Sequence, residues 1–195
     1  MGLTFKNVVK TVDYLTQSGL SHYKEAAVIR QQYLGPVKPA AASFIMPRLL
    51  HSDALIQSDF IISRDEPVCI NPGWSGYEKL TFSPAVKAGK MLFISGQCAI
   101  DQHTQQVVHA HDVAAQAQFI YSNIMTILHA AGGGPQNLVK TIEYVTPQGL
   151  TDYRKVADVR SRILPFPYPA STGLICEALL RSEMMIEVDP FAILD

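Results

Sequence analysis

Asn7-Val8-Val9-Lys10-Thr11-Val12-Asp13-Tyr14-Leu15-Thr16 returns 130 positions later as Asn137-Leu138-Val139-Lys140-Thr141-Ile142-Glu143-Tyr144-Val145-Thr146. The correspondence continues without a gap. Gly19-Leu20 matches Gly149-Leu150, Tyr23 matches Tyr153, Arg30 matches Arg160, Pro39-Ala40 matches Pro169-Ala170, and Asp59 matches Asp189. A repeat of this length predicts one supersecondary unit used twice. The second copy closes the chain with a long segment ahead of it, whereas the first copy starts almost at Met1. The expected architecture is half a unit, residues 1–65, followed by a complete one, residues 66–195. The boundary is placed at the polar, proline-ending run Arg64-Asp65-Glu66-Pro67.

Each copy opens with a run rich in β-branched and aromatic residues, which predicts a strand. A Gly-Leu step follows, and then a helix with Ser21 or Thr151 as the expected N-cap. Tyr153, Val156, Val159 and Ile163 fall three or four apart, the spacing of an amphipathic helix, and Pro165, Pro167 and Pro169 end it. Two further strands are expected at about 171–180 and 184–193, with Pro190 taken as the end of the ladder. The middle of the chain supplies what the first copy lacks. Strands are expected at 82–87 and 90–96, and a hairpin at 101–108. A long helix starts at Asp112, carries Ala115, Phe119, Ile120, Ile124, Ile127 and Leu128 on one face, and stops at Gly132-Gly133-Gly134-Pro135. The class is α+β: a sheet with two helices on one face, whose other face must be covered by oligomerisation or by the half-unit. Copy one begins where that long helix should end. Either coding sequence lies upstream of Met1, or contacts in an oligomer complete the half.

Composition narrows the function classes. Of 195 residues, 48% are apolar, which suffices for a real core, and the net charge is −1. Without a basic stripe, nucleic acid is not an expected partner. No apolar run has the length of a membrane helix or a signal peptide, so a cytoplasmic location is expected. Cys69, Cys98 and Cys176 are an odd count without close pairing, which fits reduced thiols.

Ser83-Pro84-Ala85-Val86-Lys87-Ala88-Gly89, Leu92-Phe93-Ile94-Ser95-Gly96-Gln97 and the Ala130–Gly134 loop resemble, in order and spacing, the YjgF/RidA (reactive intermediate deaminase) family, also labelled endoribonuclease L-PSP. The resemblance continues through Val139-Lys140-Thr141, Tyr168-Pro169-Ala170-Ser171-Thr172 and Ile186-Glu187-Val188-Asp189. It covers about 76–195, and the first copy matches the family's C-terminal half. It implies a chorismate-mutase-like fold that assembles as a homotrimer with its sheets inward and binds small carboxylic acids in clefts between subunits. It also implies hydrolysis of 2-imino or 2-enamino acids to 2-keto acids and ammonia, with no metal or organic cofactor. In that chemistry an arginine holds the substrate carboxylate and an acid positions the attacking water.

Carried over residue by residue, the resemblance is incomplete. Ser171, and Ala41 in copy one, stand where the family has its arginine. Phe82 stands for a substrate-facing tyrosine, and Gly173 for a cysteine. Glu187 matches the functional acid, with Asp189 next on the same strand face, and Gly96 matches the glycine whose backbone lines the pocket. Glu177, expected on an apolar strand, is a further candidate acid. The lost cation could be replaced by Arg181 or Arg48, which otherwise read as solvated loop residues, or more weakly by the Ser171 and Thr172 hydroxyls. Loss of a bidentate arginine contact costs roughly 2–4 kcal/mol, which favours a different substrate over a poorer version of the same enzyme.

Other candidates are weaker. Cys98 and Cys176 read as small core residues, because no base is tied to them by sequence. His103, His109 and His111 lack partners at metal-ligand spacing. Gly132 to Gly134 have no following Lys-Ser/Thr and read as a helix-ending turn. The leading expectation is a small-molecule deaminase in which Glu187 orients water while Phe82, Gly96, Ser171, Thr172 and Arg181 line the pocket. The alternatives are different chemistry in the same cleft for a dedicated pathway, or a binding protein without turnover. Ribonuclease activity is disfavoured by the charge.

Overall fold

A computed structural model describes residues 2–195. Strand β1 (Val8–Leu15) lies between β2 (Ala40–Ile45), parallel to it, and β3 (Ile56–Ile62), antiparallel to it, with helix α1 (Tyr23–Leu34) linking β1 to β2. A larger sheet is built from β4 (Val68–Ile70), β5 (Ala85–Ala88), β6 (Met91–Ile94), β7 (Gln97–Cys98), β8 (Leu138–Val145), β9 (Ala170–Ile175) and β10 (Ile186–Ile193). Its order is β4-β5-β6-β10-β8-β9, with β7 also beside β10. Helix α2 (Val113–Ala130), the short α3 (Pro147–Leu150) and α4 (Arg154–Ile163) complete the α+β unit. The register of the small sheet recurs in the large one. Lys10 faces Ala40 as Lys140 faces Ala170, and Tyr14 faces Gln57 as Tyr144 faces Glu187. Each sheet also carries an irregularity at the matching end, between Val8 and Lys10 and between Phe191 and Ala192.

One face of the large sheet packs under α2 and α4. Ile120, Tyr121, Ile124, Ile127 and Leu128 of α2 meet Val156 and Val159 of α4 and Ile186, Val188 and Ala192 of β10. The Asp112 carboxylate caps α2 by accepting from the Ala114 and Ala115 amides. The buried stripe is rotated from the expected one: Ala117 and Tyr121 replace Ala115 and Phe119 at its centre, and Phe119 lies at the rim near the His109 ring.

The opposite face of the large sheet is covered by the three-stranded sheet. Val9, Ala40, Val86, Ala88 and Phe93 form one cluster between the sheets; Val12, Ala42, Phe44, Tyr144 and Cys176 form another. Phe44 stacks on Tyr144 with ring centroids 3.6 Å apart, and the Tyr14 ring meets it edge-on. Between these clusters the fully buried Lys10 amine donates to Ile94 O at 2.5 Å and forms an ion pair with Asp189.

Several local expectations are corrected. Ser21 and Thr151 do not cap the helices: α1 and α4 follow His22 and Tyr153 without a side-chain cap, while Thr16 and Thr146 accept the Gly19 and Gly149 amides in the turns before them. Strand β9 ends at Ile175, because Glu177 N and Ala178 bond instead to Ile45 at the end of β2. That removes Glu177 from the strand and leaves it exposed. Pro190 does not end the ladder, since β10 continues to Ile193. It falls in the gap between the β7 and β6 pairings, where its missing N–H is not needed. An unforeseen edge strand, Val68–Ile70, pairs with β5.

Removing the Lys10 amine leaves Asp189 buried without its counter-charge, which costs on the order of 3 kcal/mol. Lys10→Met is therefore expected to lower the denaturant midpoint strongly at pH 8. The deficit should shrink in acid, where Asp189 can take a proton. Equal deficits at both pH values would show that the pair is not what the substitution disturbs.

Candidate active site

Strand β10 places Glu187 between two neighbours, with Cys98 of β7 opposite it on one side and Tyr144 of β8 on the other. The chain breaks between β6 and β7 at Ser95-Gly96, and β2 docks against that break. Gly96 N donates to Ala41 O at 2.9 Å, Ala41 N donates to Ser95 Oγ at 2.8 Å, and Ser95 Oγ donates to Ser83 O at 2.5 Å. This close approach explains the glycine. A Cβ at position 96 would overlap Glu187 Oε1 and sit 3.0 Å from the Ala42 Cβ.

Glu187 is 4% exposed. Burial pushes its carboxyl up from 4.5 to about 7, and the nearby Asp189 adds to the rise. The Cys98 thiol (3.3 Å to Oε2), the Ser43 amide (3.3 Å to Oε1) and the Lys10 charge hold it from rising further. Cys98 is thus a hydrogen-bond donor. Burial and the Glu187 charge push its thiol well above the usual range, the opposite of what a thiolate nucleophile needs. Asp189, on the same strand face, is also raised by burial, while its Lys10 contact opposes the rise.

Glu187 opens into a cavity of about 460 Å³ between the N-terminal and C-terminal units. Tyr23, Lys24, Arg30 and β2 residues Ala41, Ala42 and Ser43 form one wall; Tyr77, Lys79, Phe82, Gly96, Cys98 and Arg181 form the other. The basic side chains are not equally available. Arg30 is committed to Asp13, which also accepts from Tyr23 (2.8 Å) and Ser58 (2.6 Å). Arg181 is exposed and uses one guanidinium nitrogen on Gln105 O at 2.5 Å; its charge lowers the Cys98 thiol, which places it in the electrostatic range of Glu187's partner. The Tyr23 hydroxyl, raised by burial to about 12, stays protonated and bonds to Ser43 Oγ at 2.6 Å.

Of the residues singled out by sequence, Glu187, Gly96, Phe82 and Arg181 meet at this cavity. Asp189 lies behind it on Lys10. Ser171 and Thr172 do not line it: they are exposed on the outer strand β9, where Ser171 borders a separate hollow and accepts from Arg160 at 2.7 Å. The cavity is lined instead by their register counterparts, Ala41 and Ala42 of β2, because β2 is the strand that docks at Gly96. Glu177 is outside as well, and Arg48 is not among the lining residues. Tyr23, Ser43, Tyr77 and Lys79 were not anticipated. The match of Tyr23 to Tyr153 was a visible signal, but it read as helix packing. Tyr77 stacks edge-on with Phe82 and brings the cavity a phenol that Phe82 lacks. Among the described residues, no group of three or more His, Cys, Asp or Glu is placed to hold a metal, and no helix is long and apolar enough to cross a membrane.

Residues 78–194 match the family model described as endoribonuclease L-PSP. The chain belongs to this family. A RutC family protein of Pyrococcus horikoshii is 31% identical over 111 residues, 57% of this chain and 85% of that protein. A 3-aminoacrylate deaminase RutC of Acinetobacter baylyi is 28% identical over 107 residues, 55% of this chain and 82% of that protein. A crystal structure of RidA from an Antarctic Psychrobacter aligns with a TM-score of 0.58 at 29% identity, covering 65% of this chain and 99% of that one. These matches establish the α+β fold expected from the family.

The raised carboxyl has a measurable consequence for stability. A folded-state value above the unfolded one means that Glu187 favours the fold fully below about pH 4.5, and that this contribution is lost as pH rises through about 7. Glu187→Gln removes the titration. Relative to wild type, the variant should gain about 3 kcal/mol between pH 4 and pH 8 in urea unfolding. A difference that stays flat with pH would place Glu187 in a solvated environment instead.

Proposed function

We propose that the protein hydrolyses a small 2-imino or 2-enamino carboxylic acid in the cavity beneath β2. The observation that carries this reading is the buried Glu187 carboxyl, poised near pH 7 at the cavity floor with donors fixed on both oxygens. A group so tuned can exchange a proton with water near neutrality. Its ionised form takes a proton from a water molecule as the water oxygen attacks the imine carbon. The substrate reacts as the protonated imine, so the C=N electron pair moving onto nitrogen leaves a neutral amine in the tetrahedral adduct. Glu187 then gives its proton to that nitrogen, the C–N bond breaks and ammonia leaves, and Glu187 takes the hydroxyl proton as the adduct oxygen becomes the keto oxygen, passing it afterwards to solvent. An enamine first takes a proton on carbon to enter the same route.

The substrate carboxylate needs a cation, and Arg181 supplies it in this reading. Arg30 lines the same cavity, but Asp13 neutralises it. Phe82 and Tyr77 provide the apolar wall against which a short side chain packs. The relative named 3-aminoacrylate deaminase supports an enamine of this size as the substrate class.

Ammonia release from freshly generated 2-aminoacrylate, followed by a coupled assay, tests the proposal. Turnover above the spontaneous rate should rise with pH through about 7, as ionisation of Glu187 requires, and should vanish in Glu187→Ala. Arg181→Ala should raise KM about tenfold or more with a smaller change in kcat, the pattern of lost carboxylate binding. Saturable binding of 2-keto acids without turnover would turn the reading to a ligand-binding protein.

A further inference from the structure

Ser43 of β2 borders the cavity beside Glu187, and the hydrogen bonds behind it decide what its hydroxyl can do. Its backbone N–H donates to Glu187 Oε1 at 3.3 Å, and its side chain lines the same space. The chain of bonds begins at Asp13, which is 3% exposed and paired with the Arg30 guanidinium. A carboxylate held by a guanidinium can only accept. The Tyr23 hydroxyl, 2.8 Å from Asp13 Oδ2, therefore places its one proton there. Burial keeps that proton on the phenol, whose ionisation is pushed up to about 12.

The Tyr23 oxygen then accepts from its other two neighbours, Ser43 Oγ at 2.6 Å and Arg30 Nη2 at 3.3 Å. The Ser43 proton is thus turned onto Tyr23. Among the described residues none donates to Ser43 Oγ, so its lone pairs are open on the cavity side. The other copy of the unit shows that packing does not require this serine. There Tyr153, Glu143 and Arg160 form the same tyrosine–acid–arginine cluster, and Gly173 occupies the register position of Ser43. Only the copy that faces Glu187 carries the hydroxyl. The Glu187 charge also acts on Tyr23, so the two groups share one electrostatic neighbourhood. An acceptor-only hydroxyl beside an ionised carboxylate suits a cationic N–H donor. A carbonyl oxygen placed there would meet lone pairs alone.

We propose that Ser43 Oγ accepts the N–H of the protonated imine, with Tyr23 as the positioning residue that keeps the serine an acceptor. This rests on the reaction proposed above. An iminium nitrogen with one N–H on Ser43 is held with its carbon toward the water on Glu187. In the tetrahedral adduct the same bond fixes the amine and leaves its lone pair for the Glu187 proton. The 2-keto product has an oxygen where the substrate had N–H, so the site favours its release.

L-Alanine and pyruvate differ in bearing an ammonium or a keto oxygen, and titration calorimetry at pH 8 compares them without turnover. Wild type should bind alanine more tightly, and Ser43→Ala should narrow that preference about tenfold. Tyr23→Phe keeps the serine but frees its proton to turn into the cavity. Pyruvate should then bind several-fold tighter and alanine more weakly. In both variants kcat/KM for ammonia release from 2-aminoacrylate should fall about tenfold. Wild type without a preference for alanine overturns the assignment, and so does a preference that neither variant changes. Equal weakening of both ligands overturns it too, because that is the mark of a structural role. Wild-type ammonia release at the spontaneous rate, with an alanine preference that Ser43→Ala removes, overturns the reaction while supporting the N–H acceptor.

Discussion

The Lys10 amine is the contact on which the rest of the arrangement depends. In the large sheet, β10 has no ladder partner at Asp189 and Pro190 on the side facing β6 and β7, because the chain kinks away at Ser95-Gly96. That kink strands a carbonyl at Ile94 and a carboxylate at Asp189 in the interior. Lys10, reaching across from β1, satisfies both. Desolvating two ions costs several kcal/mol each, so such a pair survives only with close geometry and additional hydrogen bonds. Here the Ile94 carbonyl and the Phe191 ring, 4.7 Å from the ammonium, supply them. With Lys10 placed, β2 lies against Gly96, and the cavity acquires its second wall.

The same contact separates the behaviour of two acids that the sequence presents as equivalents. Glu187 and Asp189 alternate on one strand and face the same layer. Asp189 receives the ammonium and is locked into structure. Glu187 receives only the weaker Cys98 and Ser43 donors, so burial dominates and its carboxyl titrates near neutrality. Burial raises both carboxyls, and only Asp189 has an ammonium in direct contact to oppose that rise. Gly96 contributes by having no side chain, which lets the carboxyl press against backbone and still remain in the cavity.

Much of the fold was legible, because the order of its elements is written in period and punctuation. The strand runs, the Asp112 cap, the glycine stop after α2 and the matched registers all follow from local chemistry. The family motifs pointed to Gly96, Phe82 and Glu187, and these three line one cavity. Ser171 and Thr172 lie away from this cavity for a reason that sequence cannot reveal. Two segments match the same motif, and which of them docks at Gly96 is decided by the tertiary packing. Lys10 was illegible for the same reason. Cys98 was read as inert core, yet its thiol faces the Glu187 carboxylate, a pairing made only by the β7–β10 register.

Lys10 and Lys140 make the general point, since their local sequences are near copies and their strand pairings are the same. Lys10 is fully buried, Lys140 is exposed. Val9 is fully buried and Val139 is 39% exposed; β2 is covered along its length, whereas β9 is open along its length. Local propensity determines that these segments are strands and which partners they take. It does not determine which face becomes interior, because burial is set by what packs on the unit from outside. The C-terminal unit has α2 on its helical side and the small sheet on its other side. The N-terminal unit has the large sheet on one side and, on the helical side, Ile29, Phe60 and an unsatisfied Thr11.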